Sequence, residues 1–156
     1  EVCGTVYNEL RINNYAKYKD HSPEGCTSIT CLLLGESYPY WKAAKADGTY
    51  KEKKMALGKE FIERLAEFIP ELKGNVEALD VATPCTYERY CSSYEGSWMS
   101  VWNTKGKQYN YPQECSIKGV CFCGQRIMMP GGLPIAVYTG RRAVQLICKN
   151  WGEEFK

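Results

Sequence analysis

Phe122-Cys123-Gly124-Gln125, then Met129-Pro130-Gly131-Gly132-Leu133-Pro134, then the apolar run from Ile135 to Cys148, is the stretch on which the fold turns. It reads as a strand end, a glycine turn and a helix start. At such a junction the first backbone N–H groups of the helix lack intrahelical acceptors and can hold an anionic or electron-rich ligand. Gly131 and Gly132 let a large planar group approach the backbone closely, and Pro134 suits the first turn of the following helix. A plainer reading is that Gly124, Gly131 and Gly132 only permit a tight strand-to-helix turn.

Working outward, size and composition set the bounds. A chain of 156 residues with 44% hydrophobic content can bury a core, as one domain or as two small subdomains. Its 20 basic and 18 acidic residues leave a net charge of +2, which gives no general basic surface for nucleic acid. No apolar run reaches the roughly 18 to 20 residues that cross a bilayer, and Glu1-Val2-Cys3 does not open a secretory leader. The expectation is a cytoplasmic protein. Among 14 glycines no two are separated by a single residue, so no Gly-x-Gly-x-x-Gly phosphate loop can be drawn.

Nine cysteines, an odd count with several members inside apolar segments, point to reduced thiols rather than a secreted disulfide framework. Cys121 and Cys123 have the spacing of residues on one strand, and the only histidine, His21, is far off in sequence; no metal site is expected. Cys85 and Cys91 flank an aromatic-rich segment and read either as reactive thiols or as small core hydrophobes.

Upstream, Val2 to Tyr7 is a short strand candidate. Asn13-Asn14 and the segment from Asp20 to Gly25 read as polar loops before a stronger strand, Cys26 to Leu34, whose apolar tail suits cover on both faces. Tyr38, Tyr40 and Trp41 read as loop aromatics, packed over the core or facing an apolar ligand. From Tyr50 to Ile69, Met55, Ala56, Phe61, Ile62, Leu65, Phe68 and Ile69 recur at helical spacing with charges on the other face, and Pro70 stops the pattern. Glu60 and Arg64 stand in the favourable i,i+4 order. Val76 to Val81 predicts another strand leading to Thr83-Pro84.

Asp80-Val81-Ala82-Thr83-Pro84, Tyr87-Glu88-Arg89-Tyr90 and Gly96-Ser97-Trp98-Met99, in that order, resemble a segment of the phytoene desaturase, carotenoid isomerase and retinol saturase group of FAD-dependent oxidoreductases. Cys123-Gly124-Gln125, Pro130-Gly131-Gly132-Leu133-Pro134 and Gly140-Arg141-x-Ala143 are similar to that group's closing strand, glycine turn and helix. The chain departs from the group's pattern at Cys85, Cys91, Ser100 and Gln125, the last where an acidic residue is frequent.

The resemblance implies a C-terminal portion of a larger enzyme. Residues 1–82 would be part of a substrate domain, a mixed sheet with a covering helix; residues 83–156 would be the C-terminal part of a Rossmann-like FAD domain, with its closing strand and helix. The fold class expected is mixed α+β. FAD would be held by Gly124, Gln125, Pro130, Gly131, Gly132, Leu133 and Pro134, Gln125 on a ribityl hydroxyl or phosphate, with the helix N-terminus toward the flavin. Arg89 could place a cation near the cofactor or stack on neighbouring tyrosines. The substrate implied is an apolar polyene of carotenoid or retinoid type, desaturated, saturated or isomerised. Partners implied are the rest of the FAD domain or a complementary chain and that apolar substrate, with peripheral membrane contact and self-association through uncovered apolar surface; nucleic acid is not among them. No catalytic residue is assigned. The flavin would not bind tightly to this chain alone.

Two other classes stay in view. One is a self-contained α+β binding domain with an aromatic surface formed by Tyr38, Trp41, Tyr87, Trp98 and Trp102. The other is a small thiol enzyme using Cys85 or Cys91.

Overall fold

A computed structural model describes residues 1–97 and 111–155. The fold is mixed α+β, and the chain divides into two compact units, Glu1–Thr86 and Tyr87–Lys156. Trp98, Met99, Ser100 and Trp102 lie outside the described residues.

The first unit opens with a tight turn. Cys3 and Gly4 both take left-handed torsions, and Val2 and Thr5 exchange backbone hydrogen bonds of 2.8 and 2.9 Å, so the expected strand from Val2 to Tyr7 closes on itself after one bridge. The unit's strands are β1 (Ile12–Asn14) and β2 (Ile29–Cys31), paired antiparallel with Ile12 opposite Cys31 and Asn14 opposite Ile29. Asn13 and Asn14 thus stand in a strand, not in the expected loop. β1 is exposed along its length, so polar side chains cost it nothing, and Asn14 Oδ1 accepts from Thr27 Oγ1 and Ala16 N–H at 3.0 Å each. The expected mixed sheet is this antiparallel pair. β2 is shorter than its apolar sequence suggests, and Leu32 and Leu34 beyond it are exposed rather than covered on both faces. In the connecting loop the His21 ring stacks on Tyr15 at 4.3 Å.

Helix α1 (Tyr38–Ala46) replaces the expected aromatic loop. Pro39 occupies the first turn, where its missing N–H costs no helical hydrogen bond, and Lys42-Ala43-Ala44-Lys45 carry good helix propensity. Trp41 and Ala44 are buried, so Trp41 belongs to the core. Helix α2 (Tyr50–Leu65) stops short of the expected Ile69; Leu65 is buried and Phe61 and Ile62 half-buried, whereas Met55, Ala56 and Phe68 of the expected apolar face are exposed. The Arg64 guanidinium donates to Glu60 at 2.7 Å across one turn. Pro70 starts a short 3-10 turn, Pro70–Leu72, after the helix has ended.

The start of α2 depends on Asp47. Its carboxylate accepts from Thr49 Oγ1 at 2.5 Å and from Thr49 N–H at 2.9 Å, with Lys53 at 3.5 Å. The Thr49 hydroxyl, then the Thr49 amide, hold the Asp47 carboxyl below its ordinary value of 3.8. A lowered folded pKa contributes stability above the ordinary value and loses it as pH falls through the folded one. A carboxyl-carbon titration should therefore place the Asp47 midpoint below that of an unstructured Asp, and Thr49→Ala should raise it. A wild-type midpoint at the unstructured value would refute the contact.

Val76 to Val81 forms no strand. It finds no ladder partner among the described residues; Leu79 instead lies against Gly58 of α2, where an added Cβ would stand 2.8 Å from Leu79 Cδ2. Lys54 donates to Asp80 at 3.2 Å, which holds the Asp80 carboxyl below its usual range. Helix α3 (Pro84–Cys91) begins on a reciprocal cap: Thr83 N–H donates to Thr86 Oγ1 at 3.0 Å, and Thr86 N–H to the Thr83 carbonyl at 2.8 Å. Tyr50 at the head of α2 shares a 2.6 Å hydrogen bond with the buried Thr83 hydroxyl. The core of this unit thus gathers Trp41, Ala44, Leu65, Ala66, Thr83 and Cys85.

In the second unit the expected closing strand is one bridge, Glu114 to Cys121, extended by Phe122 N–H donating to the Gln113 carbonyl at 2.6 Å. No further strand pairs with it among the described residues, and the turn at 117–120 folds the segment back on itself. Helix α4 (Gly132–Trp151) follows. It closes with Gly152 in the left-handed conformation and Glu153 N–H donating to the Cys148 carbonyl at 2.9 Å, a Schellman stop. No helix among the described residues is long and apolar enough to cross a membrane.

Candidate functional site

The site is built on the N-terminus of α4. Gly131 precedes the helix with φ 87° and ψ −162°, no side chain caps the helix, and no acidic residue lies in its first turn. The N–H groups of Gly132 and Leu133 therefore have no helical acceptor, and Pro134 carries none. An added Cβ on Gly132 would meet only Pro134 Cδ, at 3.9 Å, so the backbone faces open space; Leu133 is exposed. No acidic side chain in that turn offsets the partial positive charge of the helix N-terminus.

The inner side of the turn is held by residues that the sequence does not single out. Thr139, fully buried in α4, accepts from Gly124 N–H at 3.0 Å and donates to the Ile135 carbonyl at 2.7 Å. The Gln113 side-chain amide donates to the Thr139 carbonyl at 2.7 Å and to the Phe122 carbonyl at 3.0 Å. Gln113 Oε1 is buried with no partner among the described residues. Arg126 donates to Ser97 Oγ at 2.6 Å and also to the Ser97 carbonyl, which brings the Gly96-Ser97 segment to the glycine turn.

Of the expected site residues, Pro130, Gly131, Gly132, Leu133 and Pro134 sit together at the helix start. Met129-Pro130 is a cis peptide bond. Gly124 is placed differently: its N–H is turned inward to Thr139 and its carbonyl accepts from Ile127 N–H at 3.3 Å, so it supports the turn rather than offering a donor to a ligand. Gln125 is half-buried, with an interaction of its own within the protein. The Arg89 guanidinium lies over the Tyr90 ring at 5.1 Å, the stacked arrangement. Arg141 and Arg142 are exposed on α4, Arg141 over the Phe155 ring.

No protein-family model matches this chain, and no curated protein or solved structure matches it either.

Of the expected aromatic surface, Trp41 is 3% exposed and Tyr38 and Tyr87 are half-buried. Cys85, 1% exposed in the core, offers no sulfur to a substrate, whereas Cys91 is exposed. Burial pushes the Cys3 and Cys31 thiols up, away from nucleophilic thiolate character. Among the described residues no group of three or more His, Cys, Asp or Glu side chains is placed to hold a metal. The first unit carries a cavity of about 530 Å³ between its N-terminal segment, Ile12 of β1, Leu33 and α2, where Leu10, Leu57 and Phe61 line it together with the charged Glu9, Glu60 and Arg64.

Proposed function

We propose that this chain is the C-terminal portion of an FAD-dependent oxidoreductase that desaturates, saturates or isomerises an apolar polyene-like substrate. The observation that carries the reading is the Arg126–Ser97 contact. It links Ser97 of the family-like Gly96-Ser97 segment to Arg126, the residue after the family-like Cys123-Gly124-Gln125. The donor set fits a flavin nucleotide: Gly132 and Leu133 offer backbone N–H groups, Gly131 and Gly132 present no side chain, and the acid-free first turn leaves the α4 dipole uncompensated.

Bound FAD supplies the hydride chemistry. The chain's own share is to orient and to tune. The α4 N-terminus favours negative charge beside it by about 0.3 to 1 kcal/mol at an exposed site. The apolar part of the first unit's cavity, at Leu10, Leu57 and Phe61, suits an apolar substrate in chemistry.

The test is reconstitution. The 156-residue chain alone should show no flavin absorbance, and the same chain extended upstream through a Gly-x-Gly-x-x-Gly segment should retain FAD and be yellow. An extended protein that stays colourless after reconstitution would sink the proposal.

A further inference from the structure

We infer that Thr139 is a positioning residue: its hydroxyl sets the placement of the glycine turn on the helix that the flavin reading makes the cofactor's floor. Thr139 is 0% exposed and lies seven residues into α4, about 10 Å along the axis from Gly132. A threonine there could serve as filler, bonding back to its own helix. This one bonds back to its own helix and also reaches across to the turn. With its proton given to the Ile135 carbonyl at 2.7 Å, the oxygen accepts Gly124 N–H at 3.0 Å. Gly124, at φ 128°, then fixes where residues 125–131 leave the helix surface.

The contact is buttressed from both sides. Gln113 Nε2 ties the Thr139 carbonyl to the Phe122 carbonyl, two residues before Gly124, while the Gln113 backbone carbonyl takes Phe122 N–H at 2.6 Å. Beyond Gly124, its carbonyl accepts Ile127 N–H, and the Ile127 carbonyl accepts Tyr111 N–H at 2.9 Å. Segments 111–113, 122–127 and 135–139 are thus tied together around Thr139, whose hydroxyl joins the last two. Its loss leaves the Gly124 N–H without an acceptor, which valine, of the same shape, cannot supply.

This inference rests on the flavin reading for its purpose but not for its test, which is amide hydrogen exchange in the 156-residue chain followed by FAD titration of the extended protein. In the wild type, Gly124 should exchange roughly tenfold or more slowly than Gly119, a glycine in an open turn. Thr139→Val should accelerate Gly124 by roughly tenfold relative to the α4 interior, and Thr139→Ser should restore protection. In the extended protein Thr139→Val should weaken FAD binding by roughly the same factor, with Thr139→Ser near wild type. Equal exchange at Gly124 and Gly119 in the wild type overturns the inference even if Thr139→Val fails to fold. So does uniform acceleration along α4, the mark of a purely structural role, or unchanged FAD affinity in a Thr139→Val protein with a freed Gly124. A colourless extended wild type with selective release of Gly124 overturns the flavin reading and leaves the placement role standing.

Discussion

Trp41→Ala is expected to cost the first unit about 3 to 5 kcal/mol, the range for deleting a large buried aromatic. Trp41 is 3% exposed, and its ring meets Tyr50 edge-on at 5.8 Å. Tyr50 in turn shares the hydrogen bond with Thr83, so removing the indole loosens the α1–α2 packing and the seat of the cap on α3 together. For a unit of this size the thermal midpoint should fall by roughly 15 °C or more, followed by far-ultraviolet circular dichroism. Trp41→Phe, which keeps an aromatic ring in place, should lose much less. A Trp41→Ala loss below about 1 kcal/mol, the range for surface positions, would show that Trp41 is not the centre of this core.

Gly131→Ala carries the second large effect, and it falls on the turn. With φ 87° and ψ −162°, Gly131 occupies a region that is essentially reserved for glycine, and it is buried. A methyl group must be held there at about 1 to 3 kcal/mol or must move the turn. Either outcome displaces the Gly132 and Leu133 N–H groups, so the extended protein should lose FAD affinity by roughly tenfold or more. Gly119→Ala makes the control, because Gly119 also has positive φ but nothing lies within 4 Å of its added Cβ and no proposed donor depends on it. Equal FAD affinity in Gly131→Ala and wild type would remove this turn from the cofactor site.

What could be read from the chain follows a physical division. Helix α2 was legible because its burial repeats every three to four residues, and α4 because glycine and proline punctuate a long apolar run. Helix α1 was not, since Pro39 and three aromatics mask a short helix whose burial rests on Trp41 and Ala44 alone. β1 hides behind two asparagines that an exposed strand tolerates. The run from Val76 to Val81 has strand-like residues but no ladder to join among the described residues, and Leu79 settles on Gly58 instead. At the site, the glycines and prolines were visible because backbone conformation demands particular residues. Arg126, Gln113 and Thr139 were not, because their roles exist only through partners 29, 26 and 15 residues away. A threonine in the middle of an apolar helical run was the one trace of them.

The uncapped start of α4 has a consequence for how such a chain can diverge. The donors proposed there belong to the main chain, so the exposed Leu133 side chain can change over generations with the donors left in place. Selection would act instead on torsion angles at Gly131 and on the buried hydroxyl beneath Gly124. Two descendants could then share one ligand cradle while sharing few letters around it.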